Sequence, residues 1–119
     1  MNDLRTFNPE AMQEQADAAA RLLKALGNEQ RLRVLCLLVD HELTVSQLNE
    51  HMPELSQSAL SQHLARLREE DMVTTRRESQ QIWYRLADGP ACRVLRTLHD
   101  IYCGTGRSGA RARRSKRNS

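Results

Sequence analysis

Residues 44 to 67 hold two helix starts separated by a stop, and this spacing limits the folds open to the chain. Thr44-Val45-Ser46-Gln47 has the pattern of a capping box, with Thr44 as cap and Gln47 reaching back to it. The short helix after it carries Val45, Leu48 and Met52. Pro53 closes it, and Leu55 buries the turn. Ser56 caps a further helix, in which Leu60, Leu64 and Leu67 form an apolar stripe at i, i+4 and i+7. Two short capped helices joined by a tight turn are a helix-turn-helix or an ordinary helical hairpin, and this pattern alone fits both.

The flanking segments favour the former. Upstream, a helix is expected from Pro9 to Leu26, with an Ala-rich apolar face that allows close packing, ended by Gly27. Asn28 caps a dense apolar helix holding Leu32, Val34, Leu35, Leu37, Leu38 and Val39. Downstream, Met72–Thr75 and Gln81–Leu86 read as strands, with Arg76-Arg77-Glu78-Ser79-Gln80 as a polar hairpin tip. Asp88, Gly89 and Pro90 start a last helix with a stripe of Val94, Leu95, Leu98, Ile101 and Tyr102. The expected fold is mainly α with a β-hairpin wing: four helices, two strands and a final helix, in the order of a winged helix-turn-helix.

Charge divides the chain. Six of the 18 Lys and Arg residues lie between Arg107 and Arg117, and no Asp or Glu follows Asp100. The first 106 residues thus carry 12 basic against 15 acidic groups, so the basic balance belongs to the tail. The expected organisation is a flexible N-terminus over 1–9, one DNA-binding and dimerisation domain over 10–103, and a basic, disordered tail over 104–119. The polar start, MNDLRTFNPE, has no signal-peptide character, and no 18-residue apolar run is present. A cytoplasmic protein with no membrane segment is expected. Three cysteines do not make a secreted disulfide framework.

On the second helix of the pair, the face opposite the leucine stripe carries Ser58, Ser61, Gln62, Ala65 and Arg66. Such a slim polar face suits base edges in a major groove. Ser58, Ser61, Gln62 and Gln57 are the candidate base contacts, and Ala65 allows close approach to a thymine methyl. Arg66 and Arg68 are candidate phosphate contacts, and Arg76 and Arg77 candidate wing contacts to the backbone or minor groove. His63 borders the buried side and fits either a core role or a phosphate contact. Glu69, Glu70 and Asp71 argue against a broad non-specific basic patch. Catalytic residues and cofactors are not expected: no Gly-rich phosphate loop occurs, and His41, His51, His63 and His99 are scattered.

The ordered segments LLKALGNEQRLRVLCLLV, ELTVSQL, LSQSALSQHLARLREEDMV and RRESQQIWYRL resemble the ArsR/SmtB family of bacterial repressors over about residues 18 to 103. The resemblance implies a homodimer built from the first and last helices. It also implies nearly palindromic double-stranded operator DNA, read in successive major grooves, and repression relieved by an inducer. The metal-sensing members carry a CxC pair in the counterpart of residues 43–47, where this chain has no cysteine. Asp88, Cys92, His99 and Asp100 do not reproduce their last-helix ligand set, so no metal is expected.

Cys36 in VLCLL and Cys103 in IYCG resemble the paired cysteines of the persulfide-responsive branch, which implies a reactive-sulfur inducer that bridges the two thiols. Cys92 has no counterpart in that pattern. It precedes Cys103 by eleven residues, about 16 Å along a helix, and so cannot bridge to it within one chain. The residues themselves leave other readings open. The pair could form a plain disulfide in a peroxide or general redox regulator. On apolar helices, free cysteines are also commonly small buried hydrophobes with a structural role only. A protein-binding module is the rival of a different class, against which the Ser/Gln face and the wing arginines argue.

Overall fold

A computed structural model describes residues 6–104. The expectations for residues 1–5 and for most of the basic tail, 105–119, lie outside the described residues. The elements run α1 (Pro9–Glu14), α2 (Ala16–Leu26), α3 (Glu29–Leu37), β1 (Leu43–Thr44), α4 (Val45–His51), α5 (Gln57–Glu69), β2 (Val73–Glu78), β3 (Gln81–Leu86) and α6 (Pro90–Cys103).

Side-chain caps fix most helix starts. Asn8, Asn28, Thr44 and Ser56 each accept a hydrogen bond from the backbone N–H three residues on. At α4 the capping box is complete: Gln47 N–H donates to Thr44 Oγ1 at 3.2 Å, and Thr44 N–H donates to Gln47 Oε1 at 3.0 Å. Asn49 then sets the turn, its Nδ2 donating to the carbonyls of Met52 at 3.3 Å and Leu55 at 2.9 Å. These bonds tie the end of α4 to the turn that leads into α5. Asp71 ends α5 at φ 59°, a left-handed conformation that Asp tolerates, and Met72 N–H bonds back to the Leu67 carbonyl.

One core unites these elements. Val34, Leu35 and Leu38 share it with Leu48 and Met52 of the α4 segment, and all five are at most 1% exposed. Leu60, Leu64 and Leu67 press the buried stripe of α5 onto them, and Val73, Leu86, Ala91 and Leu95 close the far side.

Three sequence expectations need correction. The first helix is broken at Gln15, whose N–H turns back to the Met12 carbonyl; α1 buries no residue, so no packing holds it in line with α2. A third strand, β1, pairs antiparallel with β3 through Leu43–Tyr84 and Thr44–Trp83, giving sheet order β1-β3-β2. The hairpin tip is also shorter than expected. Strand pairing continues through Arg76–Trp83 and Arg77–Ile82 to Glu78–Gln81, which leaves Ser79 and Gln80 as the turn. Ser79, at φ 58°, supplies the positive φ that two-residue hairpins use at their first turn position.

Candidate nucleic-acid interface

Burying Leu60, Leu64 and Leu67 turns the opposite face of α5 outward. Gln57, Ser58, Ser61, Gln62, Ala65, Arg66 and Arg68 are all exposed. The side chains of Gln57, Ser58, Ser61 and Gln62 make no hydrogen bond to another described residue, so their donors and acceptors face water. Arg66 lies 3.8 Å from Glu70 one turn on, a loose exposed pair. His63 is half-buried at the edge of this face, its Nε2 3.1 Å from Gln30 Oε1. Partial burial, helped by the nearby Arg31 charge, lowers its pKa and favours the neutral ring.

The wing arginines differ from each other. Both lie in β2 rather than at the turn. Arg76 is held within the fold: Nε donates to Glu42 Oε2 at 2.8 Å and Nη1 to Glu78 Oε1 at 2.9 Å, while the guanidinium lies 5.4 Å from the Trp83 ring centroid. The hydrogen bond from Arg76 and its charge hold the Glu42 carboxyl below the usual range, against a smaller desolvation effect. Arg77 is exposed and makes no ion pair among the described residues. The sequence pattern did not reveal Glu42 as an anchor of the wing, because its partner is 34 positions away.

Cys36 on α3 and Cys103, the last residue of α6, are both exposed free thiols, and Cys92 is half-buried. The alternative reading of the pair as small buried hydrophobes does not fit this exposure. Although its surface is open, Cys36 sits where local packing pushes its pKa up, and negative charge on Cys103 pushes it further. A groove of about 410 Å³ lies beside it, lined by Cys36, Val39, Leu95, Arg96, His99 and Asp100. Arg96 Nη2 donates to both carboxylate oxygens of Asp40 at 2.7 Å, tying α6 to the turn after α3. No group of three or more His, Cys, Asp or Glu side chains placed to hold a metal occurs among the described residues, and no helix there is long and apolar enough to cross a membrane.

A capped helix pair that turns a polar helix face outward beside a β-hairpin defines a winged helix-turn-helix, a DNA-binding module. Residues 28–75 match the bacterial regulatory proteins of the arsR family. The chain is 46% identical over 97 residues to the transcriptional activator HlyU of Vibrio cholerae serotype O1, covering 82% of this chain and 89% of that one. It is 42% identical over 93 residues to the biofilm growth-associated repressor of Agrobacterium fabrum, covering 78% and 79%. The crystal structure of the transcriptional repressor BigR from Xylella fastidiosa superposes with a TM-score of 0.76 at 38% identity, over 82% of this chain and 98% of that one. The chain belongs to the arsR family of bacterial regulatory proteins. It is a DNA-binding transcriptional regulator.

Proposed function

We propose that the chain acts as a homodimeric repressor of a nearly palindromic operator, released when reactive sulfur species bridge Cys36 and Cys103. The observation that carries the DNA reading is the outward face of α5, where Gln57, Ser58, Ser61 and Gln62 are exposed and unengaged. Ser and Gln at that position match base-edge donors and acceptors. Arg66, Arg68 and Arg77 supply backbone contacts, and Arg76 holds the wing in shape.

A dimer is supported by apolar side chains left in water on α2 and α6. Leu23 on α2 is 62% exposed, and Ile101 and Tyr102 on α6 are 65% and 82% exposed. In one small domain, such residues call for a partner surface. A two-fold pair of α5 helices then meets half-sites about one helical turn apart, roughly 34–36 Å. Of the three relatives compared, two are named repressors and HlyU an activator, which favours repression.

The switch is supported by two exposed thiols near enough for charge on one to act on the other. Each thiolate attacks a sulfane sulfur of a polysulfide such as HS–SH, expelling hydrosulfide and becoming a persulfide. The outer sulfur of one persulfide then attacks the inner sulfur of the other, forming Cys–S–S–S–Cys and expelling the outer sulfur of the second as a third hydrosulfide. Sulfane sulfur is the oxidant in every step, so electrons balance without another reagent.

Footprinting on DNA from the chain's own promoter region, with sedimentation of the free protein, tests this reading. Two-fold protection by a dimer is expected. Protection without two-fold character, or binding by a stable monomer, contradicts it.

A further inference from the structure

On one flank of α5, four cationic side chains from three helices close on a hollow of about 210 Å³. Arg21 and Lys24 come from α2, Arg31 from α3 and Arg66 from α5, and Glu70 is the one carboxylate lining it. Arg31 is fixed in place. Its Nε donates to the Ala25 carbonyl at 3.2 Å and its Nη2 to the Lys24 carbonyl at 3.3 Å, so it also covers the C-terminal carbonyls of α2. Its Nη1 has no partner among the described residues. Arg21 and Lys24 are exposed and make no ion pair among the described residues. Glu70 offsets one charge at most, at 3.8 Å from Arg66. Like charges gathered in one hollow repel, and an anion between them removes that repulsion.

The position of the hollow indicates which anion. Arg66 follows Gln62 by four residues, so it lies about 40° around the helix axis from it. The hollow therefore borders the polar face of α5, on the side where Gln30 and His63 meet. On α2, Arg21 lies about 160° around the axis from Leu23, and Lys24 about 100°. The apolar strip assigned to the partner subunit thus leaves both cations open.

We infer that this hollow is a second DNA-backbone site, separate from the wing, which takes a phosphodiester of the strand flanking the groove that α5 enters. The inference rests on the DNA reading above. Guanidinium groups match phosphate oxygens in pairs, and Lys24 adds a point charge. Such contacts carry no sequence information. They fix the register in which Gln62 and its neighbours meet the bases.

The test compares wild type, the double variant Arg21→Ala/Lys24→Ala, the charge-preserving Arg21→Lys/Lys24→Arg and Glu70→Gln on operator and random duplexes over a salt series. Both alanines sit on exposed helical positions that tolerate them. Removing two phosphate contacts should lower the salt slope by about two. The advantage of wild type over the double alanine variant should then shrink about tenfold between 50 and 200 mM salt, on both duplexes. The charge-preserving variant should keep the slope, and Glu70→Gln should bind both duplexes more tightly than wild type. If wild type binds its operator and the double alanine variant keeps the wild-type slope, the second site is wrong while the DNA reading stands. If wild type does not bind duplex DNA, both are wrong.

Discussion

In the proposed function, Gln62 and Arg77 meet different chemistry on a duplex. The exposed Gln62 amide has the donor and acceptor that a base edge requires, so Gln62→Ala should weaken operator binding more than random-DNA binding, by roughly 1–3 kcal/mol of discrimination. Arg77 carries a charge that no described carboxylate offsets, so Arg77→Ala should weaken both and lower the salt slope by about one. Arg76 is already matched by Glu42 and Glu78, and its removal should move the slope less than removal of Arg77. Fluorescence anisotropy over a salt series reads all three, and equal losses on both duplexes for Gln62→Ala would mean that α5 does not read bases. The thiols carry a pH dependence of their own. The attacking species is the thiolate, and Cys36 has its pKa raised by burial first and by Cys103 second. Its alkylation rate should therefore rise with pH to a midpoint above that of a free thiol. Cys103→Ser should move that midpoint down. An unchanged midpoint in that variant would show that the two sulfurs do not sense each other.

At the scale of elements, caps and stripes were readable wherever the signal is local. Thr44 with Gln47, Ser56, Asn28 and the leucines of α5 form the expected helices because each depends on residues within one or two turns. The same locality predicts a stability cost. Thr44→Ala removes one arm of the capping box and should lower unfolding free energy by about 0.5–2 kcal/mol, measured by denaturant titration with an unchanged slope. A loss below that range would mean that packing alone sets the start of α4. Features set by distant partners were not readable. The Ala-rich periodicity runs through Gln15 without showing that α1 lacks anything to pack on. Leu43 and Thr44 are too few to show a strand pattern, and only Tyr84 and Trp83, some 40 residues on, make them β1. Arg76 and Arg77 look like a polar tip because nothing in the polar run 76–80 marks where pairing with Trp83 and Ile82, seven and five positions on, gives way to the turn, and Glu42 lies 34 positions back. At the site, the outward Ser and Gln residues of α5 followed from the helical period, whereas the hollow of Arg21, Lys24, Arg31 and Arg66 needed three helices to be placed.

At the scale of the whole molecule the proposed function involves three surfaces: the outward face of α5, the exposed apolar side chains of α2 and α6, and the exposed thiols of Cys36 and Cys103. Cys36 belongs to α3, which packs directly on α5 through the core. Cys103 ends α6, which carries the exposed Ile101 and Tyr102. The proposed covalent link between α3 and α6 would therefore couple the partner surface to the spacing of two recognition helices, which has to match the repeat of the duplex. The coupling required is modest, since a hundredfold loss of affinity is about 3 kcal/mol. The most direct test is operator affinity of wild type, Cys36→Ser, Cys92→Ser and Cys103→Ser, each measured reduced and after polysulfide treatment. Wild type and Cys92→Ser should lose about a hundredfold on treatment, while Cys36→Ser and Cys103→Ser should stay bound. Release of DNA by Cys36→Ser and Cys103→Ser to the same extent as wild type would contradict the thiol switch.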